Sequence, residues 1–90
     1  MRFQWGGEFH ACTQLNLLPG YINVGDFIIR NDELFEVITV QPHCPHIENL
    51  RHLFTMFTLR DRNGNIHPDP DVVGRQVVIR RKRTWKVVPA

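Results

Sequence analysis

The stretch Phe27-Ile28-Ile29-Arg30-Asn31-Asp32-Glu33-Leu34-Phe35-Glu36-Val37-Ile38-Thr39-Val40 decides the fold class. Two runs rich in Phe, Ile and Val flank Asn31-Asp32, and short polar side chains of that kind tolerate the left-handed backbone of a tight turn. Gly25-Asp26 opens the first run, so the segment reads as a β-hairpin.

Downstream, Leu53–Arg60 alternates Leu53, Thr55, Phe57 and Leu59 against Phe54, Met56, Thr58 and Arg60, a third strand. It stops at Asp61-Arg62-Asn63-Gly64-Asn65, where Asn63-Gly64 supplies loop geometry. The stretch His67-Pro68-Asp69-Pro70-Asp71 lacks two backbone donors and reads as loop. Gly74 precedes Arg75–Arg81, and Thr84–Val88 closes the chain, which gives two further short strands around a basic turn at Arg81–Arg83. Between the second and third strands lies a long link, where Pro45 followed by Ile47, Leu50 and Phe54 fits a short helical turn.

Five short strands in about sixty-five residues fit a partly open barrel better than a sandwich, which needs around seven. The expectation is a mainly β, five-stranded SH3-like barrel over residues 25–90, preceded by an N-terminal extension over residues 1–24 that packs on it. Within that extension Phe9–Leu18 lacks a cap and ends at Pro19-Gly20, consistent with either a short helix or a strand. Along Leu34–Val40, alternation puts Leu34, Glu36, Ile38 and Val40 on one face and Phe35, Val37 and Thr39 on the other. Both faces are mostly apolar, so something must cover the second one. Phe3, Trp5, Phe9, Leu15, Leu17 and Leu18 of the extension are candidates for that cover; a partner or a second copy of the chain is the alternative.

Ninety residues bound the answer to one core, worth about 4–14 kcal/mol at ordinary specific stabilities. A content of 42% hydrophobic and 22% charged residues excludes global disorder, collagen and coiled coil. No apolar run exceeds three residues, which excludes a membrane-spanning helix, and Glu8, His10 and Gln14 interrupt any secretory segment. With Cys12 and Cys44 as the only cysteines, a cytoplasmic protein with reduced thiols is expected, a monomer or homodimer.

The formal charge of +2 is an average over unequal parts. Residues 1–74 hold five Arg against all nine acids, net −4, whereas residues 75–90 hold four Arg and two Lys, net +6. Arg75, Arg80, Arg81, Lys82, Arg83 and Lys86 flank Trp85 there. Cations among which an aromatic could stack on a base are the raw material of nucleic-acid contact. The blander reading is a solvated edge hairpin with Trp85 in the core, because Trp85, Val87 and Pro89 share one face. A protein partner is the other possibility, engaged through a sheet edge or through Phe54 and Met56.

No catalytic constellation is legible. His43, Cys44 and His46 form one cluster and His10 with Cys12 another, with His52 and His67 as further ligand types, yet Pro42 and Pro45 interleave the first and the spacing matches no common zinc module. Cys44 beside His43 or His46 lacks an orienting group and an oxyanion turn. Asp69 and Asp71 lie outside any EF-hand pattern, and Gly6-Gly7 opens no phosphate loop. No cofactor and no metal are expected, and the chain reads as a non-enzymatic binding module.

From Val24 to about Val73, the order Val24-Gly25-Asp26-Phe27 through Gln41, a long loop, then Phe54–Asn65 resembles KOW-type SH3-like barrels, in particular the N-terminal domain of the bacterial translation elongation factor P family. The resemblance implies a barrel. It does not carry over the family's role, because that family's long loop holds a modifiable Lys between glycines, whereas Gln41–His52 holds neither Lys nor Gly. The whole chain is also similar to the compact, Arg-rich small proteins of phages and mobile elements, which implies a binder of nucleic acid or of a host or virion protein.

Overall fold

The computed structural model describes residues 1–42, 55–69 and 76–88, with side chains described for residues 1–41, 55–68 and 76–83. Its elements are β1 (Arg2–Trp5), β2 (Glu8–Leu17), a single 3-10 turn (Pro19–Tyr21), β3 (Phe27–Arg30), β4 (Glu33–Pro42), β5 (Thr55–Arg60), β6 (Ile66–Asp69) and β7 (Val77–Val88). All seven strands join one antiparallel sheet in the order β1-β2-β7-β3-β4-β5-β6, curled into an open half-barrel. No helix among the described residues is long and apolar enough to cross a membrane.

The strand count differs from the expected five for identifiable reasons. Residues 2–17 contribute two strands of the same sheet, so the Phe9–Leu18 ambiguity resolves to strand. The segment expected as loop at 67–71 pairs with β5 over Ile66–Asp69, and Pro68 is tolerated because β6 is an edge strand. The two C-terminal strands with a turn at Arg81–Arg83 are instead one continuous strand, β7. That stretch has no Gly, Asn or Asp to take up a left-handed backbone, and its long side chains suit an extended one. The basic segment is therefore not a hairpin: β7 lies between β2 and β3, and its pairing with β3 covers Ile79 and Arg80. The expected helical turn near Pro45 lies outside the described residues.

Asn31 and Asp32 adopt φ of 51° and 63° and close the β3–β4 hairpin, with Arg30 opposite Glu33. Farther along β4 the register against β5 shifts between Val37 and Thr39. This bulge defeats simple alternation: Val37 opposes Leu59 and Val40 opposes Phe57, so Val40 packs on the same core as Val37 rather than with Leu34.

Consecutive residues of β3 point to opposite faces, and each anchors a core. Ile28, fully buried, packs with Ile22, Val37, Phe57, Leu59 and Ile79, and Leu15, Leu17 and Val77 flank them. Phe27, also fully buried, packs on the other side with Phe3 and Cys12, bordered by Trp5 and Leu34. The Phe27 ring lies 4.6 Å from Phe3 and 4.9 Å edge-on from Trp5, measured between centroids. Phe3 and Trp5 reach it from β1, although β2 and β7 intervene in the sheet. The β2–β7 register explains how: Cys12 opposes Lys82 but His10 opposes Val87, so residues 83–86 lie opposite Ala11 alone. Such an irregularity bends both strands and folds the β1–β2 hairpin over Phe27.

Candidate functional site

The basic run sits on the middle of β7, and its members divide by the face each side chain takes. Arg81 turns toward Ile28's face, where its Nε donates to Asp26 Oδ1 at 3.0 Å and its Nη2 donates to Asp26 Oδ2 at 2.9 Å and to the Tyr21 carbonyl at 2.9 Å. Asp26 is 3% exposed and also accepts from the Asn23 N–H at 2.8 Å. The Asp26 carboxylate, by hydrogen bond and by charge, holds the Arg81 guanidinium above its ordinary pKa. Arg81, named among the candidate contact residues, is thus consumed by a structural clamp.

Arg80 and Lys82 take the opposite face, with Phe27. Arg80 opposes Gln14 and Phe27 in register, and its Nε is buried with no hydrogen-bond partner among the described residues. Lys82 is exposed, its Nζ 5.5 Å from the centroid of the Phe27 ring, a cation–π contact. Arg83 is exposed. A shallow groove of about 380 Å³ runs between the Asn23–Asp26 loop and Arg81–Arg83. Lys86 lies on β7 beyond the bend. Arg75 and Phe54, the side chains of Trp85 and Lys86, and the Trp85 face assignment lie outside what is described. Met56 is 36% exposed on β5, between the buried Thr55 and Phe57.

A second groove, of about 370 Å³, was not anticipated from the sequence. It is lined by Gln4, Trp5, Gly6, Gly7 and Arg62, where the β1–β2 turn meets the β5–β6 turn. Gly6 and Gly7 have φ of 62° and 82°, the left-handed pair that a two-residue hairpin requires. The Gly-Gly dipeptide between Phe3-Gln4-Trp5 and Glu8-Phe9-His10 was the legible signal for it. Arg62 is presented by a braced turn, because Asp61 Oδ1 accepts from the N–H groups of Asn63 and Asn65, both at 2.9 Å. Asp61 Oδ2 lies 2.8 Å from His67 Nε2. That hydrogen bond foremost, with the turn amides, lowers the Asp61 pKa to about 2.

The His and Cys candidates do not converge among the described residues. His10 is buried against Phe3 with ring centroids 5.4 Å apart, and Cys12 is buried in the same cluster. His67 is engaged by Asp61 and packs edge-on against Phe35. No group of three or more His, Cys, Asp or Glu positioned to hold a metal occurs among the described residues. His43, Cys44, His46, His52 and Asp71 lie outside them. No protein-family model, curated protein or solved structure matches the chain.

Proposed function

We propose that the chain is a small non-enzymatic binding module that contacts nucleic acid, or a nucleoprotein assembly, through Lys82 and Arg83 on β7, with Arg80 and Lys86 of the same strand alongside. The observation that carries this reading is the unequal neutralisation of the basic run. Among the basic residues of β7, Asp26 engages Arg81 and leaves Lys82 and Arg83 exposed just beyond the pairing with β3, Lys82 opposite Cys12 of β2 and Arg83 at the start of the β2–β7 irregularity. Exposed cations with no acid partner release counterions from a phosphate backbone. The test is an anisotropy titration against labelled single- and double-stranded DNA and RNA at low and physiological salt. Salt-dependent binding that weakens in Lys82→Glu/Arg83→Glu supports the reading; salt-independent binding, or none at micromolar protein, overturns it.

An adaptor that engages a host or virion protein through a sheet edge is favoured by β1. The Cys12 N–H donates to the Met1 carbonyl at 3.0 Å, so in the antiparallel alternation Arg2 and Gln4 turn their own backbone groups away from β2 along an open edge. Gln4→Pro, which removes one outward N–H, should abolish strand addition by a protein partner.

A further inference from the structure

We infer that the face carrying Phe27 holds a stacking site for an unpaired base of a single-stranded nucleic acid, with Trp5 as the platform and Arg62 and Lys82 as the flanking phosphate contacts. This rests on the nucleic-acid reading above and adds to it a place, a mode of contact and a preference for single strands.

Trp5 and Lys82 come from distant parts of the chain yet meet at one buried ring. The Trp5 ring lies edge-on to Phe27, centroids 4.9 Å apart at 66°, and Lys82 Nζ lies 5.5 Å from the centroid of the same ring. Phe27 itself is fully buried, so it fixes its neighbours without occupying the surface. Trp5 is only partly buried and lines the groove that Arg62 closes on the far side. Trp5 thus stands between two cations, Arg62 across the groove and Lys82 on the far side of the Phe27 ring, a track whose middle lies below the surface.

The glycine turn suits this track. A Cβ added at Gly6 or Gly7 would meet nothing within 4 Å, so the turn presents bare backbone beside an open space. The groove's volume of about 370 Å³ falls within the roughly 300–1,000 Å³ typical of small-ligand sites. Arg62 stands on the turn that Asp61 braces, so its position is set without a ligand. Arg62 and Lys82 have no acid partner among the described ion pairs, although Arg62 also lines a neighbouring cavity with Asp32, Glu33 and Asp61. Bases inside a duplex are already stacked and cannot enter a recessed slot, whereas each base of a single strand offers a free π-face.

The test compares a labelled oligothymidylate of about a dozen nucleotides with an abasic strand carrying the same phosphates and with the corresponding duplex. The abasic strand should bind about 5- to 100-fold more weakly, and the duplex more weakly than the single strand. Arg62→Glu, on an exposed turn, should weaken the oligothymidylate without changing the circular dichroism spectrum. Trp5→Ala should erase the difference between thymidylate and abasic strands, and photo-crosslinking with 5-iodouridine should mark Trp5. If Trp5→Ala fails to fold, the abasic comparison and Arg62→Glu on the folded protein still decide. Salt-dependent binding that ignores the bases, favours the duplex or leaves Trp5 unmarked overturns this site and spares the broader reading. An absence of binding to every strand overturns both.

Discussion

Arg81 grips Asp26 with both arms of its guanidinium, at 3.0 and 2.9 Å, and joins residues 55 apart in sequence. The clamp ties the loop before β3 to the centre of β7, and the Tyr21 carbonyl and the Asn23 N–H complete it. Removing the cation strands a carboxylate that is only 3% exposed. Breaking a fully buried pair costs roughly 3–5 kcal/mol. Because the Arg81 side chain is 35% exposed, we expect about 2–4 kcal/mol for Arg81→Met, a fall in Tm of about 10–25 °C. Arg81→Lys keeps the charge, loses the fork and should fall between the variant and the parent. Thermal unfolding monitored by circular dichroism measures both; a Tm for Arg81→Met within a few degrees of the parent's would show that the clamp is dispensable.

The β1–β2 turn predicts opposite outcomes for two substitutions at one position. With φ of 62°, Gly6 occupies a region that β-branched residues avoid and Asn tolerates. Gly6→Val should destabilise by about 1–3 kcal/mol, the usual cost of such strain. Gly6→Asn should be neutral or stabilising by up to about 1 kcal/mol, since it leaves fewer unfolded conformations to lose. Urea unfolding separates them. Equal midpoints for the two variants would mean that the hairpin turn does not constrain the fold.

These two elements also mark where the sequence was legible and where it was not. The β3–β4 hairpin declared itself because Asn31-Asp32 lies between two runs rich in Phe, Ile and Val, whereas Asn63-Gly64 marked the end of β5 but not the return strand β6, whose Pro68, with Pro70 just after it, reads as loop. Turn chemistry is local and can be read locally. The Gly6-Gly7 pair carries the same kind of local signal, and it is the turn that makes β1 a strand. The character of β7 was illegible for a deeper reason: a run of cations looks like a solvated turn until its partner is known, and Arg81's partner, Asp26, is fixed only by long-range pairing. The Val37/Thr39 bulge likewise has no sequence mark, yet it decides which core receives Val40. The candidate contact residues Lys82 and Arg83 were visible in the charge count, whereas the Trp5–Arg62 groove depends on two turns meeting in space.

Phe27 joins three elements through one ring, so its truncation should be felt widely. It is fully buried and touches Phe3, Trp5 and Lys82. Phe27→Ala should cost about 3–5 kcal/mol, a large part of the about 4–14 kcal/mol available to a domain of this size. A double-mutant cycle with Phe3→Ala should return a coupling of about 0.5–1.5 kcal/mol, the usual worth of an aromatic pair beyond its buried area. A coupling near zero would mean that the second core is held by burial alone.

The Asp61–His67 contact predicts an acid transition in the β5–β6 turn. The Asp61 pKa is lowered to about 2, so the contribution of its ionised form to folding is fully present above the ordinary value of 3.8 and is lost as pH falls through about 2. Carboxyl chemical shifts followed through an acid titration should place the Asp61 midpoint near 2 in the parent. In His67→Ala the midpoint should move up toward 3.8, since the largest cause of the shift is gone. Identical midpoints in parent and variant would assign the shift to the turn amides of Asn63 and Asn65 instead.

The division of labour along β7 gives the sharpest separation between stability and binding. Arg81 faces Asp26 while Lys82 and Arg83 face solvent, so adjacent cations should answer to different assays. Arg83→Ala should leave stability within about 0.5 kcal/mol, and Lys82→Ala within about 1 kcal/mol because its cation–π contact with Phe27 is lost. If both side chains neutralise phosphates, each substitution should lower the slope of log K against log salt by about 0.7 for single strands. Arg81→Met should move the other way, with a large loss of Tm and, at temperatures where it remains folded, a salt slope equal to the parent's. A lower slope in folded Arg81→Met would mean that Asp26 does not hold its cation away from the ligand.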